Sequence, residues 1–164
     1  MDLSVLLLTL NEEKNVGPII ARAVEELSTL RIVYEIIVVD GGSDDDTVRI
    51  ARAAGVRVEL QREKGYAAAL KEGVALAKGQ WIITLDVDGS HPPALISALW
   101  AKRDAAECAV ASRFVPGGSS EAPPLRRMLS KVLSMVYPRF LALPVRDVSS
   151  GYRLYRRDVI ADLP

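Results

Sequence analysis

Two aspartates separated by one residue, Asp86 and Asp88, end a short apolar run that begins at Trp81. The run is rich in β-branched and aromatic residues and too short for an independent helix, so it predicts a buried strand. Because side chains alternate along a strand, both carboxylates are expected on one side of its carboxyl end. Two carboxylates there repel each other unless a hard cation or a donor-rich ligand joins them. The pair therefore predicts a cation or ligand site, with a solvated acidic turn as the alternative.

Acidic and amide side chains also follow the first two predicted strands. Asn11, Glu12 and Glu13 follow the first strand, and Asp40 follows the second. Taken singly, the glutamates are typical of side chains that interact favourably with the positive end of the next helix dipole, and residues 44–46 resemble helix caps. Because the carboxyl ends of parallel strands meet at one edge of a sheet, we expect these groups beside the Asp-x-Asp pair. Such a cluster can accept hydrogen bonds from a nucleobase and a ribose, and can hold a divalent cation against a diphosphate.

Alternating strand-like and helix-like segments must position these groups. Strands are predicted over residues 4–10, 34–40, 56–60, 82–85 and 107–111. Helices are predicted over residues 18–28, 66–78 and 93–102, and a capping box at residues 43–46 predicts a further helix to residue 54. Gly79 is predicted to stop the helix that precedes it. This order is typical of an α/β fold with a mostly parallel sheet flanked by helices.

Composition and missing motifs exclude several classes of protein. Basic and acidic residues number 21 each, and the zero net charge argues against nucleic-acid binding. The sequence has no Gly-x-Gly-x-x-Gly after the first strand, no P-loop and no Gly-x-Ser-x-Gly elbow. A single His and a single Cys argue against a zinc site. The lone cysteine and the lack of any apolar run near ~20 residues predict a cytoplasmic location.

Motifs along nearly the whole chain resemble family 2 glycosyltransferases of the GT-A fold. The general motifs are Leu8-Thr9-Leu10-Asn11-Glu12, Val38-Val39-Asp40-Gly41-Gly42-Ser43-x-Asp45-x-Thr47 and Asp86-x-Asp88. Further motifs resemble the polyprenyl-phosphate (dolichol-phosphate-type) mannosyltransferases: Lys64-Gly65-Tyr66-Ala67-Ala68-Ala69, Asp88-Gly89-Ser90-His91-Pro92-Pro93, Ala111-Ser112-Arg113-Phe114 and Ser149-Ser150-Gly151-Tyr152-Arg153. The resemblance implies a single GT-A catalytic domain over residues 1–164, with a Rossmann-like sheet, that ends short of similar proteins at its C-terminus.

The resemblance also implies roles for individual residues. The nucleotide would be held by Leu10, Asn11, Glu12, Asp40, Gly42, Lys64 and Tyr66. Asp88, Asp86 and Ser90 would hold a Mg²⁺ or Mn²⁺ ion that bridges the diphosphate. Arg113, Arg126 and Ser130 would face the phosphate of the acceptor. The catalytic residues would be Asp86, Asp88, Arg113 and Arg126, whereas His91 is expected to support the diphosphate site rather than to act as an acid or base.

The implied reaction transfers mannose from GDP-mannose to a polyprenyl phosphate with inversion, and UDP-glucose is the alternative donor. A lipid acceptor implies peripheral contact with the cytoplasmic face of a membrane. Residues 125–143 repeat apolar side chains at helical spacing among several cations. This pattern suits an interfacial helix on anionic lipid and suits an amphipathic core helix equally well.

Three positions depart from the family pattern. Ser90 stands where Gln is frequent, Leu10 where Tyr is frequent, and Gly41 where many members carry a second Asp. The departures leave open which nucleobase the chain binds and whether its side chains complete the coordination of the metal ion. The rival interpretations are a family 2 enzyme with another donor or a glycan acceptor, a nucleotidyltransferase, and a non-catalytic domain that binds nucleotide sugars.

Overall fold

Six strands and five helices alternate in the part of the chain that the structure, a computed structural model, describes, which is residues 1–112, 147 and 150–161. The strands are β1 (Leu3–Thr9), β2 (Tyr34–Asp40), β3 (Arg57–Leu60), β4 (Trp81–Asp86), β5 (Cys108–Val110) and β6 (Arg153–Arg156). The helices are α1 (Val16–Thr29), α2 (Thr47–Ala53), α3 (Tyr66–Leu76), α4 (Leu95–Trp100) and α5 (Arg157–Ile160). The predicted alternation of elements is therefore confirmed, with boundaries that differ by a few residues.

The six strands form one sheet in the order β3-β2-β1-β4-β6-β5. The pairings β1–β2, β1–β4 and β2–β3 are parallel, and β6 runs antiparallel to both of its neighbours. The prediction of a mostly parallel sheet is confirmed. The sequence did not predict β6, which is only four residues long and carries two arginines.

The sheet separates two apolar layers because neighbouring residues of each strand face opposite sides. On one side, Leu7 of β1 and Leu85 of β4 pack with the buried face of α1. On the other side, Leu6 and Ile82 pack with Val74 of α3. The central strands are buried on both faces, so their carboxyl ends are held rigidly at one edge of the sheet.

Two local predictions were wrong, although the helices themselves were expected. The capping box at residues 43–46 does not form, because the Ser43 hydroxyl donates to Asp40 at 2.6 Å and α2 begins only at Thr47. Gly79 does not end α3, whose last residue is Leu76. A Cβ on Gly79 would lie 2.4 Å from the backbone nitrogen of Ser4, so close packing against β1 requires glycine there.

The predicted helix over residues 125–143 lies outside the described residues, as do Arg113, Arg126 and Ser130. Among the helices that are described, none is long and apolar enough to cross a membrane.

Candidate active site

Two loops that follow β1 and β2 are tied together; they are residues 10–15 and 41–47, called here the paired loops. The Asn11 N–H donates to the Ser43 hydroxyl at 2.8 Å, and the Asn11 amide oxygen accepts from the Asp44 N–H at 3.0 Å. The Glu12 N–H donates to the Thr47 hydroxyl at 2.7 Å. Asn11 has a φ of 57°, a left-handed conformation that asparagine tolerates better than most residues. The paired loops therefore form one hydrogen-bonded unit beside the sheet edge.

Thr47 is the buried centre of this unit, and its replacement by valine is expected to cost about 1–3 kcal/mol of unfolding free energy. Thr47 is 0% exposed, and valine would leave the Glu12 N–H without its acceptor. Urea denaturation measures the change. The same substitution at exposed Thr29, whose hydroxyl donates to a helix carbonyl, is the matched control and should change stability by less than about 0.5 kcal/mol. Equal effects at the two sites would contradict the role given to Thr47.

Asp40 lies beneath the paired loops rather than in an open cleft. It is 0% exposed, and its carboxylate accepts four hydrogen bonds, from the Thr9 hydroxyl, the Gly42 N–H, and both the N–H and the hydroxyl of Ser43. A carboxylate has about four acceptor positions, so these donors occupy all of them. The predicted contact between Asp40 and the nucleotide stays a prediction, and in this structure the carboxylate shapes the loop at Gly42 and Ser43.

Asp86 and Asp88 stand at the carboxyl end of β4, as the sequence predicted. Asp86 is the last residue of the strand and is partly buried, whereas Asp88 is exposed. The Ser90 hydroxyl and N–H donate to one oxygen of Asp88, at 2.6 and 2.9 Å. Partial burial acts to raise the pKa of Asp88, but these two hydrogen bonds and His91 together outweigh it, and the net pKa is lowered. Asp88 is therefore ionised at neutral pH, and Ser90 orients it.

His91 holds the end of β4 in place. Its Nδ1 accepts a hydrogen bond from the backbone N–H of Asp86 at 3.0 Å, so the proton of the neutral imidazole lies on Nε2. The imidazole ring lies against the ring of Tyr152 with 5.1 Å between centroids. The buried Tyr152 hydroxyl donates to the Pro92 carbonyl at 3.1 Å. The geometry agrees with the expected supporting role of His91.

Asp86 is expected to destabilise the fold at neutral pH, because burial raises its pKa, the charge of Asp88 raises it further, and His91 only partly opposes this. Because the pKa is raised in the folded state, the loss of unfolding free energy is absent below the ordinary pKa of 3.8. It is complete once the pH exceeds the pKa of the folded state. Asp86→Asn should therefore add about 1 kcal/mol of stability at pH 7, and less as the pH falls towards 4. Urea unfolding in chelator at both pH values measures this. A variant less stable than the wild type at pH 7 would contradict the prediction.

A cavity of about 320 Å³ opens beside Asp86, between the start of α3 and strand β6. Its lining combines a carboxylate, a guanidinium, hydroxyl groups and apolar surface: Tyr66, Leu70, Asp86, Ser150, Gly151, Arg153 and Tyr155. Ligand pockets usually range from about 300 to 1,000 Å³, so this one suits a small polar ligand of about the size of a monosaccharide. A lining that offers both hydrogen-bond donors and acceptors matches the hydroxyl groups of a sugar.

Tyr66 and Gly151 determine the shape of this cavity. Burial and the negative charge of Asp86 raise the pKa of Tyr66 to about 12, so its hydroxyl keeps its proton and can donate. A Cβ on Gly151 would lie 2.9 Å both from Oδ2 of Asp86 and from the Tyr66 hydroxyl. The Gly151 carbonyl accepts from the Thr84 hydroxyl at 2.6 Å, which fixes this segment against β4. Any side chain at position 151 would displace one of the two polar groups.

The structure brings most of the predicted site residues to one edge of the sheet. Asp86 ends β4, and the segments that follow β1, β2, β3 and β4 contain Leu10, Asn11, Glu12, Gly42, Lys64, Tyr66, Asp88 and Ser90. Sequence reasoning missed Leu70 and Tyr155 in the cavity, and it named Ser150 and Gly151 only within a family motif. Leu70 lies one helical turn after Tyr66, so the i, i+4 spacing was the available signal. Tyr155 shares a face of β6 with Arg153, a signal that required the strand to be recognised.

The carboxylate oxygens at the end of β4 fit a hard divalent cation whose other coordination positions are filled by a bound ligand and water. In the described part of the chain, no group of three or more His, Cys, Asp or Glu side chains forms a metal site. Mg²⁺, however, usually binds through one or two carboxylates together with substrate phosphates and water. Burial raises the pKa of Asp86, and the adjacent charge of Asp88 adds to this against the opposing effect of His91, so a cation between the two carboxylates would relieve their repulsion. Asp86 and Asp88 therefore fit Mg²⁺ or Mn²⁺ in the presence of a diphosphate.

Solved structures of glucosyl-3-phosphoglycerate synthase from Mycobacterium tuberculosis share this fold. The form with Mg²⁺ and UDP aligns with a TM-score of 0.76 at 24% identity, over 99% of this chain and 59% of that one. A form with Mn²⁺, UDP and glucosyl-3-phosphoglycerate aligns with a TM-score of 0.74 at 25% identity, over 99% and 59% of the two chains. The fold is thus the GT-A fold of glycosyltransferases.

The particular family follows from the sequence. The model of the family "Glycosyl transferase family 2" matches residues 4–163, and the chain belongs to that family. A polyprenol monophosphomannose synthase of Mycolicibacterium smegmatis is 34% identical over 95% of this chain and 62% of its own. A dolichol-phosphate mannosyltransferase of Pyrococcus furiosus is 33% identical over 98% of this chain and 47% of its own.

A third relative transfers a different sugar. An undecaprenyl-phosphate 4-deoxy-4-formamido-L-arabinose transferase of Pseudomonas fluorescens is 30% identical over 96% of this chain and 47% of its own. All three relatives are named for polyprenyl phosphates, whereas their sugars differ. The chain spans about half to three fifths of the length of these relatives.

Proposed function

We propose that this chain is the catalytic domain of a glycosyltransferase that moves a hexose from a nucleoside diphosphate sugar to a polyprenyl phosphate. The observation that carries the proposal is the pair of carboxylates, Asp86 and Asp88, beside a cavity of about 320 Å³ at the carboxyl edge of the sheet. The names of the relatives support the class of acceptor. The preferred sugar is mannose and the preferred donor is GDP-mannose, with a UDP-sugar as the second candidate because the structural neighbours bind UDP.

The diphosphate of the donor would lie at Asp88. Two anions cannot approach each other there without a cation, and the ionised carboxylate of Asp88 is directed by Ser90 to hold one. Mg²⁺ or Mn²⁺ would offset the charge that develops on the leaving diphosphate. The α3 helix begins nearby at Tyr66 without a side-chain cap, so its first N–H groups add positive potential at the same edge.

The transferred sugar would occupy the cavity between α3 and β6. The Asp86 carboxylate accepts hydrogen bonds, whereas the Tyr66 hydroxyl and the Arg153 guanidinium donate them, so neighbouring sugar hydroxyls can be paired in turn. Arg153 is held in place by a 2.6 Å hydrogen bond from its Nε to the Ser150 carbonyl. Fixed groups of this kind orient the anomeric carbon without reorganisation during the reaction.

A phosphate acceptor needs no strong general base, because it is already ionised at neutral pH. We propose that Arg113, Arg126 and Ser130 bind this phosphate and offset its charge while it attacks. Direct attack from the face opposite the leaving diphosphate inverts the anomeric centre, so an α-linked donor gives a β-linked product. Because the acceptor is a membrane lipid, the domain is proposed to work in peripheral contact with the cytoplasmic face of a membrane.

A transfer assay tests the proposal. The protein is incubated with GDP-mannose, Mn²⁺ and a short polyprenyl phosphate, with chelator and UDP-glucose in parallel reactions. We expect metal-dependent formation of polyprenyl phosphate mannose and release of GDP. The β configuration of the product, read by NMR, is expected from a single displacement, and an α-linked product would refute that step.

The same assay separates the rival interpretations. A nucleotidyltransferase would release pyrophosphate instead of a nucleoside diphosphate. A family 2 enzyme with a glycan acceptor would leave the lipid phosphate unmodified and elongate an oligosaccharide. Metal-dependent donor binding by calorimetry, without transfer to any acceptor, would favour a non-catalytic domain that binds nucleotide sugars.

A further inference from the structure

Residues 87–92 begin the connection from β4 to α4 and carry Asp88; they are called here the carboxylate loop. The near end of this loop is fixed, because Val87 is 1% exposed and lies in the apolar core. The middle of the loop, from Asp88 to Ser90, is exposed. The two hydrogen bonds from Ser90 to Asp88 lie within the loop, so they do not hold the carboxylate relative to the sheet. The position of Asp88 therefore depends on what holds the far end of the loop.

Tyr152 holds that far end through two contacts. Its hydroxyl donates to the Pro92 carbonyl at 3.1 Å, and its ring lies against the imidazole of His91 with 5.1 Å between centroids. His91 in turn accepts from the Asp86 N–H at 3.0 Å, which ties the loop back to the end of β4. The two residues that follow Ser90 are thus both in contact with one tyrosine side chain.

Tyr152 is itself firmly held. It is 1% exposed and packs in the same apolar core as Val87. Its carbonyl accepts from the Ala111 N–H at 2.9 Å, and the buried Ser150 hydroxyl donates to the Ala111 carbonyl at 2.9 Å. Burial, to which the charge of Glu26 adds, raises the pKa of Tyr152, so its hydroxyl keeps its proton and can donate. A buried donor fixed in this way can hold an exposed loop in one conformation.

We infer that Tyr152 is a positioning residue for the cation, because it fixes the carboxylate loop in the conformation that presents Asp88 to the diphosphate. This inference rests on the proposed function, in which Asp88 holds a Mg²⁺ or Mn²⁺ ion. Tyr152 acts through His91 and Pro92 rather than by contact with the cation. Groups that orient the ligands of a metal ion typically contribute roughly 10- to 100-fold to its affinity, and one hydroxyl should lie near the lower end of that range.

The variant Tyr152→Phe tests the inference on the intact chain, because phenylalanine keeps the ring in the core and removes only the donor to Pro92. Calorimetry measures the binding of GDP and UDP at a series of Mn²⁺ concentrations. We expect the Mn²⁺ concentration for half-maximal binding to rise about tenfold, while the affinity for nucleotide at saturating Mn²⁺ stays the same. In the transfer assay the apparent KM for Mn²⁺ should rise in parallel, with kcat unchanged at saturating Mn²⁺.

Ser4→Ala is the matched control, since it also removes a buried hydroxyl. The Ser4 hydroxyl donates to Glu35 at 2.6 Å and accepts from the Gly79 N–H at 2.8 Å, near the opposite end of the sheet. Thermal unfolding should show that both variants lose stability, whereas only Tyr152→Phe should change the Mn²⁺ dependence. An equal change in both variants would mean that Tyr152 only stabilises the fold, and would overturn the inference.

The exposed side of the same contact supplies a second variant, His91→Ala, which leaves the buried core intact. It should also raise the Mn²⁺ requirement, and the double variant with Tyr152→Phe should show less than the product of the two single shifts, because both act on one loop. An unchanged Mn²⁺ dependence in either single variant would overturn the inference and leave the proposed function intact. A wild-type chain that binds neither nucleotide in a metal-dependent way would overturn both.

Discussion

Replacement of Asp88 by alanine is expected to lower metal-dependent binding of a nucleoside diphosphate by at least about 100-fold and to abolish transfer. Asp88 is the ionised member of the carboxylate pair, and both donors of Ser90 are directed at it. Without it, only the partly buried Asp86 would remain at this strand end to hold a cation against the diphosphate. The effect should be confined to function, because Asp88 is exposed and its loss should change stability by less than about 0.5 kcal/mol.

Calorimetry with GDP and UDP in Mn²⁺, repeated in chelator, measures this loss, and thermal unfolding verifies the fold. Asp104→Ala is the matched control. Asp104 is also exposed, and it precedes β5, so it lies towards the opposite edge of the sheet. Nucleotide binding by Asp88→Ala that keeps the affinity and the metal dependence of the wild type would refute the assignment of the cation to this pair.

Gly151→Ala is expected to reduce kcat/KM for transfer by about 100-fold while nucleoside diphosphate binding changes less than about threefold. The new methyl group would lie 2.9 Å from Oδ2 of Asp86 and from the Tyr66 hydroxyl, and the Thr84 hydroxyl prevents the backbone from retreating. One of the two polar groups must therefore leave the cavity that we assign to the sugar. Asp88 and the paired loops are untouched, so the nucleotide should still bind.

The double variant Gly151→Ala with Tyr66→Phe supplies the control, because phenylalanine removes one of the two atoms that the methyl group meets. Steady-state transfer kinetics should show partial recovery relative to Gly151→Ala, whereas Tyr66→Phe alone should be impaired by the loss of its donor. If Gly151→Ala transfers sugar at the rate of the wild type, the cavity does not hold the reacting group.

Much of the sheet and the position of the Asp86–Asp88 carboxylate pair could be predicted because they depend on local pattern. The strand at Tyr34–Asp40 has the predicted boundaries, since its apolar run is bounded by clear breaks. The location of Asp86 and Asp88 followed from the period of two along a strand and from parallel topology. Neither signal needs knowledge of distant contacts, which is why both were reliable.

The features that the sequence did not predict depend on contacts between distant segments. The role of Gly79 is set by the Ser4 backbone, and one of the four donors that enclose Asp40 is Thr9, far away in the sequence. Strand β6 is short and charged, and its strand conformation depends on pairing with β4 and β5. The cavity wall at Tyr155 was therefore missed with it. Roles for Arg113, Arg126 and Ser130 stay predictions from the family resemblance.

The position of β6 in the sheet has a consequence for how the chain folds. Within the described residues β6 is the last strand in the sequence, yet it lies between β4 and β5. Strands β1 to β4 pair with one another as synthesis proceeds, whereas β5 has no neighbour until β6 inserts. A chain that ends before β6 would thus present the edge with Asp86 and Asp88 without the cavity wall that Gly151, Arg153 and Tyr155 supply.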